Sequence, residues 1–365
     1  MKDILVDDIV RAAGEHGLFG PEAAVLLMVS GGSDSTALAY LMAEAREAGA
    51  VGPVAMLHVN HQLRGADADA DARFVEELAA KLGIPLFMCE VDVAGEAARS
   101  GQNVEAVARR ERYAAANEAL RSMCLHECVP LSEGRIVVAH TADDRIENFY
   151  MRSIVGTGPG GFRSMKRRNG PVVRPLLDCT REQLRESIRA RRARGTVVAE
   201  DAAGALWRED ATNAHTDRFR AYVRHRIVPQ ALEWNERMPA TLTRTMDLIA
   251  DEDDMLEAMA GEAIAEHAEV DAEGGCFKLL PAFGQVRMPL QRRAVMRLLK
   301  GLLGAGERID AAAVATVLDA FDGEHPKSGY TANIQGDLAV SSNKRGVLVE
   351  SMSAYRARRK GGRRR

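Results

Sequence analysis

The residues of this 365-residue chain whose types and spacing suit chemistry gather in four places. The first is Ser30-Gly31-Gly32-Ser33-Asp34-Ser35, between an apolar run and a segment of helical spacing. Small residues let backbone N–H groups close around an anion, and a helix start adds its positive end. The Gly-Lys-Ser/Thr ending of a Walker A loop is missing. The plain alternative is a strand-to-helix turn capped by Ser and Asp. The second place is His58-Val59-Asn60-His61-Gln62-Leu63-Arg64-Gly65, followed by Asp67, Asp69 and Asp71. Two histidines without a thiolate or third ligand make a poor metal site, so a loop capping a strand is the alternative here. The third is Asn103 to Tyr113, where Arg109 and Arg112, three apart, share a helix face behind a plausible Asn103 cap. Their plain reading is a solvated ion-pairing face. The fourth is His140-Thr141-Ala142-Asp143-Asp144-Arg145-Ile146-Glu147-Asn148. On a helix, His140, Asp143, Asp144 and Glu147 fall at i, i+3, i+4 and i+7 and address one side. Carboxylates there suit Mg²⁺ or an ammonium group; alternatively Thr141 is an N-cap and the acids fill a first turn.

These places must be positioned by elements. Runs 23–30, 54–59, 85–91 and 136–140 read as buried strands, and 35–48, 70–82 and 104–123 as helices between them. The alternation implies a parallel sheet with right-handed crossovers, binding ligands beyond the carboxyl ends of its strands. After residue 210 the pattern turns to long amphipathic helices, at 218–233, 239–267, 288–303 and 310–321, with strand-like runs at 331–335, 338–341 and 347–351. The expected organisation is an α/β domain over residues 1–215, a mainly helical second domain with a short terminal β-hairpin over 216–353, and a basic, disordered tail over 354–365.

The first string resembles the S-G-G-x-D-S loop of the pyrophosphate-loop (PP-loop) ATPases. The second resembles the H-V-N-H-x-L-R-G segment of the tRNA(Ile)-lysidine synthetase family. The third is similar to that family's A-R-x-x-R-Y helix, and the fourth to its H-x-x-D-D-x-x-E-T segment, with Thr141 where a second His is common and Asn148 where Thr is expected. Gly156-Thr157-Gly158-Pro159-Gly160-Gly161, Val173-Arg174-Pro175-Leu176-Leu177, Glu209-Asp210-Ala211-Thr212-Asn213 and Arg224-His225-Arg226-Ile227-Val228-Pro229 continue the resemblance in order.

The resemblance implies an adenine nucleotide α-hydrolase-like fold, a parallel five-stranded sheet flanked by helices. It implies a ligase that forms a carbon–nitrogen bond. ATP adenylates the wobble cytidine of a CAU-anticodon isoleucine tRNA, and the amine of free L-lysine then displaces AMP. The implied ATP-binding residues are Ser30 to Ser35 with His58, Asn60, His61 and His140. Asp34, Arg109, Arg112, Asp143, Asp144 and Glu147 are the implied catalytic residues, with Asp34 and Asp144 for Mg²⁺. By the same resemblance residues 1–215 are the ATP-binding catalytic domain and 216–353 the tRNA-binding one, and a homodimer is a candidate assembly. Two other readings fit parts of the sequence: a PP-loop tRNA thiolase, and a degenerate RNA-binding protein that keeps the loop as a relic.

Bulk composition agrees with a globular protein: 46% hydrophobic, 28% charged, with a net charge of −3. Acidic residues at 67–71 and 251–254 offset basic runs at 189–194 and 356–365. Seven of the last ten residues are Arg or Lys, so the tail is expected to add tRNA affinity. Asp3, Asp7 and Asp8 are wrong for a secretory signal and no apolar run reaches membrane-spanning length, so a cytoplasmic protein without membrane contact is expected. Five cysteines without a C-x-x-C pair indicate neither a disulfide framework nor a zinc ribbon. Residues 124–135 look like an insertion relative to the family.

Overall fold

The computed structural model describes residues 4–62, 65–209, 219–271, 273–304 and 307–361. The chain divides into two compact units, Met1–Asp247 and Leu248–Arg365. The expected boundary at 215/216 lies outside the described residues.

In the first unit, helix α1 (Ile4–Glu15) precedes β1 (Ala24–Met28), α2 (Ser33–Glu47), β2 (Val54–Asn60), α3 (Ala66–Leu82), β3 (Leu86–Glu90), α4 (Val93–Ser100), α5 (Val104–His126) and β4 (Gly134–Val137). Then come α6 (Ala142–Val155), the two-residue strands β5 (Arg168–Asn169) and β6 (Val172–Val173), and α7 (Arg181–Ala193). A helical stretch follows, α8 (Phe219–Tyr222), a π turn (Val223–Ile227) and α9 (Val228–Trp234), ahead of the long α10 (Met238–His267). The sheet order is β3-β2-β1-β4-β6-β5. Its first five strands run parallel, as expected, and β5 adds an antiparallel edge.

The sheet is covered on both faces, which is why its central strands are continuous apolar runs. Alternate residues go opposite ways. Val25 and Leu27 of β1, with Val54, Met56 and Val137, pack with residues of α1, α2, α3 and α7. Ala24 and Leu26, with Ala55, Leu57 and Ile136, pack under Ala116, Leu120 and Met123 of α5. The apparent insertion at 124–135 is the end of α5 and its return to β4: Cys124 is buried there, and a Cβ on Gly134 would stand 3.0 Å from its sulfur. Chain order reverses at β1, since β2 and β3 lie to one side and β4 returns on the other. That reversal opens the crevice where open α/β sheets bind ligands.

The second unit holds more β structure than a hairpin. Strands β7 (Ala268–Asp271) and β8 (Cys276–Leu279) precede α11 (Met288–Leu303) and α12 (Ala311–Leu318). The short pair β9 (Phe321–Asp322) and β10 (His325–Pro326) leads to β11 (Thr331–Ile334), β12 (Leu338–Asn343) and β13 (Gly346–Ser351). The five longer strands form one antiparallel sheet, β11-β12-β13-β8-β7. Phe277, Leu279, Val340, Val347 and Val349 pack with Val295, Leu298 and Leu299 of α11 and Val314 and Val317 of α12. The expected disordered tail is corrected over its described part: Met352–Gly361 form helix α13. Ala, Arg and Lys are strong helix formers, and Arg358 ties the helix back to Glu350 at 3.1 Å and to Ser341 at 3.0 Å. Residues 362–365 lie outside the described residues. No described helix is long and apolar enough to cross a membrane.

Candidate active site

The carboxyl ends of β1, β4 and β6 meet at the crevice. After β1, the 30–35 string divides into a loop and the first turn of α2, whose N-cap is Gly32. Gly31 has φ +90°, which only glycine adopts cheaply, and a Cβ there would stand 3.4 Å from Arg208 Cγ. Hydroxyls tie the loop shut. Ser35 Oγ accepts from Ser30 N–H at 3.2 Å and donates to Gly32 O at 3.1 Å, while Thr36 Oγ1 donates to Gly31 O at 3.2 Å. Arg208 N–H also donates to Gly31 O, at 2.9 Å. The hydroxyls thus serve the loop's own shape, and the first N–H groups of α2 lack intrahelical acceptors, as at any helix start.

At the end of β2, His58 is buried, and its Nδ1 lies 2.9 Å from Val29 O, which can only accept, so Nδ1 carries the proton. His58 thereby fixes the backbone one residue before the loop. Asn60, also buried, accepts Gln62 N–H at 2.9 Å. His61 is half-buried beside it. Leu63 and Arg64 lie outside the described residues. Asp71 on α3 is joined to the loop through Arg208, whose Nε donates to it at 2.9 Å and whose other arm reaches Asp201 at 2.8 Å.

After β4, Thr141 is the N-cap of α6, and Asp144 closes a capping box with it. Asp144 is also a site residue, because its two oxygens do different work. Oδ2 accepts Thr141 N–H at 2.9 Å, and Oδ1 accepts Arg220 at 2.8 Å and Arg181 at 3.4 Å. Glu147, one turn on, is 2% exposed. It accepts Arg224 at 2.6 and 3.0 Å and Arg220 at 2.8 Å, with Arg181 at 3.7 Å. Asp143 accepts the backbone N–H of Arg181 at 2.7 Å. Arg181 reaches Asp34 as well, at 3.2 Å, so one guanidinium joins Asp34 to Asp144 and Glu147 of α6. Burial raises the Asp34 carboxyl above its ordinary value, Arg181 and the Ser33 hydroxyl pull it down, and Asp144 adds to the rise.

His140 stands just before the helix. Burial pushes its imidazole down to about 4; Asp144 opposes this, and the charges of Arg174, Arg220 and Arg109 add to it. Its Nδ1 accepts from Arg174 Nε at 3.2 Å, so the neutral ring carries its proton on Nε2. Arg109 lies over the Tyr113 ring at 5.0 Å. Burial lowers the Arg112 guanidinium and Arg109 adds to the effect; Arg174 is lowered by burial and by Arg109 in the same way. Arg109, Arg112 and Arg174 therefore form a cationic wall, with the neutral ring of His140 beside it.

The crevice brings together Asp34, Asp143, Asp144 and Glu147, with His140 adjoining Asp144 electrostatically. His58 and Asn60 are support beneath it. Sequence reasoning missed the cations that face these acids, Arg181 on α7, Arg220 on α8 and Arg224 in the π turn. The available signals were Arg220 and Arg224 at i, i+4 and Arg181 at the first position of a Thr180-capped helix.

A phosphate-cradling turn at the switch point of a parallel sheet, walled by acids on one side and arginines on another, defines a nucleotide-binding α/β domain. The chain belongs to the PP-loop domain family, which matches it over residues 9–231. It is 31% identical over 293 residues to the tRNA(Ile)-lysidine synthase of Geobacter sulfurreducens, covering 80% of this chain and 58% of that protein. It is 35% identical over 306 residues to the tRNA(Ile)-lysidine synthase of Thermus thermophilus, covering 83% of this chain and 53% of that protein. The chain thus spans somewhat more than half the length of these relatives. Among solved structures, the U34-tRNA thiolase NcsA from Methanococcus maripaludis with its 4Fe-4S cluster aligns with a TM-score of 0.48 and 15% identity, over 67% of this chain and 78% of that one.

Proposed function

We propose that the chain acts as a tRNA(Ile)-lysidine synthase, using ATP to adenylate the wobble cytidine of a CAU-anticodon isoleucine tRNA and lysine to displace AMP. The observation that carries this reading is the pairing of a PP-loop with a cation-binding acid pair, Asp144 and Glu147, in one crevice. An enzyme that only cleaves ATP has no need of a seat for an ammonium group beside the phosphate loop.

In the first step the cytidine carbonyl oxygen attacks the α-phosphorus and pyrophosphate leaves. The loop and the start of α2 hold the departing phosphates by N–H groups and helix dipole. Arg109 and Arg112, whose charges already repel one another, gain by neutralising an anion between them. His140 offers an Nε2–H donor without carrying charge. In the second step the lysine amine attacks carbon-2, AMP leaves and the amine gives up a proton. Asp144 and Glu147 grip the ammonium form by exchanging it for the guanidiniums of Arg220 and Arg224, and a carboxylate there accepts the proton.

Mg²⁺ suits the same crevice, since Asp34 Oδ2 and Asp144 Oδ1 both converge on the single cation of Arg181. These two carboxylates would hold the ion, which supplies charge neutralisation of the polyphosphate. Residence in the cytoplasm and assembly as a homodimer belong to the same proposal. The test is incubation with ATP, labelled lysine and each CAU tRNA. Label in the isoleucine tRNA, with one AMP and one pyrophosphate per lysine, is the expected result. ATP cleavage without label in RNA overturns the reading.

A further inference from the structure

The arginines of the crevice separate into two kinds. Arg181, Arg220 and Arg224 each spend their charge on Asp34, Asp144 or Glu147. Arg185, one turn along α7 from Arg181, does not. It is half-buried, and its Nε donates at 3.4 Å to the hydroxyl of Ser33, inside the phosphate loop. That hydroxyl passes its own proton to Asp34 Oδ1 at 2.9 Å. Among the described residues Arg185 has no carboxylate partner. Its other contact is the Trp207 ring, with the guanidinium carbon 5.6 Å from the centroid. Arg189 approaches the same ring at 5.6 Å but is paired with Glu182 at 2.8 Å. Trp207 itself is held against the loop by its neighbour Arg208, whose N–H donates to Gly31 O.

A guanidinium is planar, permanently charged and suited to two acceptors at once, so one that touches a neutral hydroxyl at the mouth of a phosphate loop has unused donors and unneutralised charge. The start of α2 adds positive potential at the same point. We propose that Arg185 binds the β- and γ-phosphates of ATP, and so the pyrophosphate that leaves, and that Trp207 is the positioning residue that aims it by stacking. The proposal rests on the PP-loop reading and deepens it: the loop's N–H groups surround the diphosphate from below and α7 closes over it from the side. A backbone phosphate of RNA shares this chemistry, and the test separates the two sources.

The experiment is calorimetric titration of the whole protein with ATP, inorganic pyrophosphate, AMP and tRNA, for the wild type and for Arg185→Gln, Arg185→Lys, Trp207→Leu and Trp207→Phe. Loss of a hydrogen bond to a charged group weakens binding by about tenfold or more. Arg185→Gln should therefore raise the dissociation constants of ATP and pyrophosphate by about that factor and leave AMP and tRNA unchanged. Arg185→Lys should recover part of the loss. Trp207→Phe should keep pyrophosphate affinity, whereas Trp207→Leu should lose several-fold with AMP unaffected, a split that a merely structural role would not produce. Unchanged pyrophosphate affinity in Arg185→Gln, an equal loss for AMP, or a loss confined to tRNA each overturns the proposal while the PP-loop reading stands. A wild-type protein that binds neither ATP nor pyrophosphate overturns both.

Discussion

Replacing Glu147 by Gln keeps the shape of the side chain and removes the charge that three arginines share. The carboxylate is 2% exposed and accepts three hydrogen bonds of 2.6 to 3.0 Å, two from Arg224 and one from Arg220. Removing one partner of a fully buried ion pair costs about 3–5 kcal/mol. The cations here keep contact with water, with the side chain of Arg220 43% exposed and that of Arg224 25%, so solvent recovers part of the loss. The amide oxygen also still accepts one bond, so the expected cost falls to about 2–3 kcal/mol. For a unit the size of the first one that corresponds to roughly 5–10 °C in melting temperature. Both tryptophans of the chain, Trp207 and Trp234, lie in that unit, and Trp234 is 92% exposed, so tryptophan fluorescence follows this unit through the half-buried Trp207. Glu182→Gln is the control: Glu182 is 69% exposed beside Arg189, and solvent screens that pair, so the melting temperature should not change measurably. If Glu147→Gln melts within a degree of the wild type, or if its effect simply adds to that of Arg224→Gln, the charge-sharing account is wrong.

Three further outcomes are expected. Cys179 is buried with its thiol pushed up to about 12 by desolvation first and the charges of Asp178 and Asp8 next, so it should resist alkylation near pH 8 in the native protein while exposed Cys128 reacts; equal labelling of both would contradict this. His140 is held near 4 against an ordinary 6.5, so the unfolded chain binds the extra proton first on acidification. Stability from the neutral ring is therefore complete above about pH 6.5 and declines as pH falls toward 4, and His140→Gln should show a flatter urea midpoint between pH 7 and pH 5 than the wild type, parallel profiles being the adverse result. Gly31→Ala forces a side chain into φ +90° against Arg208, which should cost about 1–2 kcal/mol and weaken ATP binding; unchanged calorimetric affinity would mean the loop tolerates strain.

The sheet was legible where burial on two faces makes strands into apolar runs, as in β1, β2 and β4. Strands β5 and β6, two residues each, are too short to carry any period, and β7 shows one half-buried residue followed by three exposed ones. The second sheet therefore read only as its C-terminal strands. In the site, the loop and the acids of α6 were legible because each is one continuous string placed by one strand end. Their cationic partners were not, since Arg181 meets Asp34 across 147 positions and Arg220 meets Asp144 across 76. Ion pairing at such separations leaves no local pattern, and nothing in the sequence around Arg185 marks its approach to Ser33, 152 positions away. At Asp144 the capping and site readings had stood as rivals, yet each takes one oxygen of the same carboxylate.

That division of labour ties chemistry to motion. When a cation leaves Oδ1, the carboxylate is free to turn about its terminal torsion, and the same turn carries Oδ2 away from Thr141 N–H. Exchange of the cation and fraying of the first turn of α6 are thereby coupled through one carboxylate. Amide exchange at Thr141, whose N–H that carboxylate accepts, should therefore be slower when Oδ1 is occupied than when it is empty.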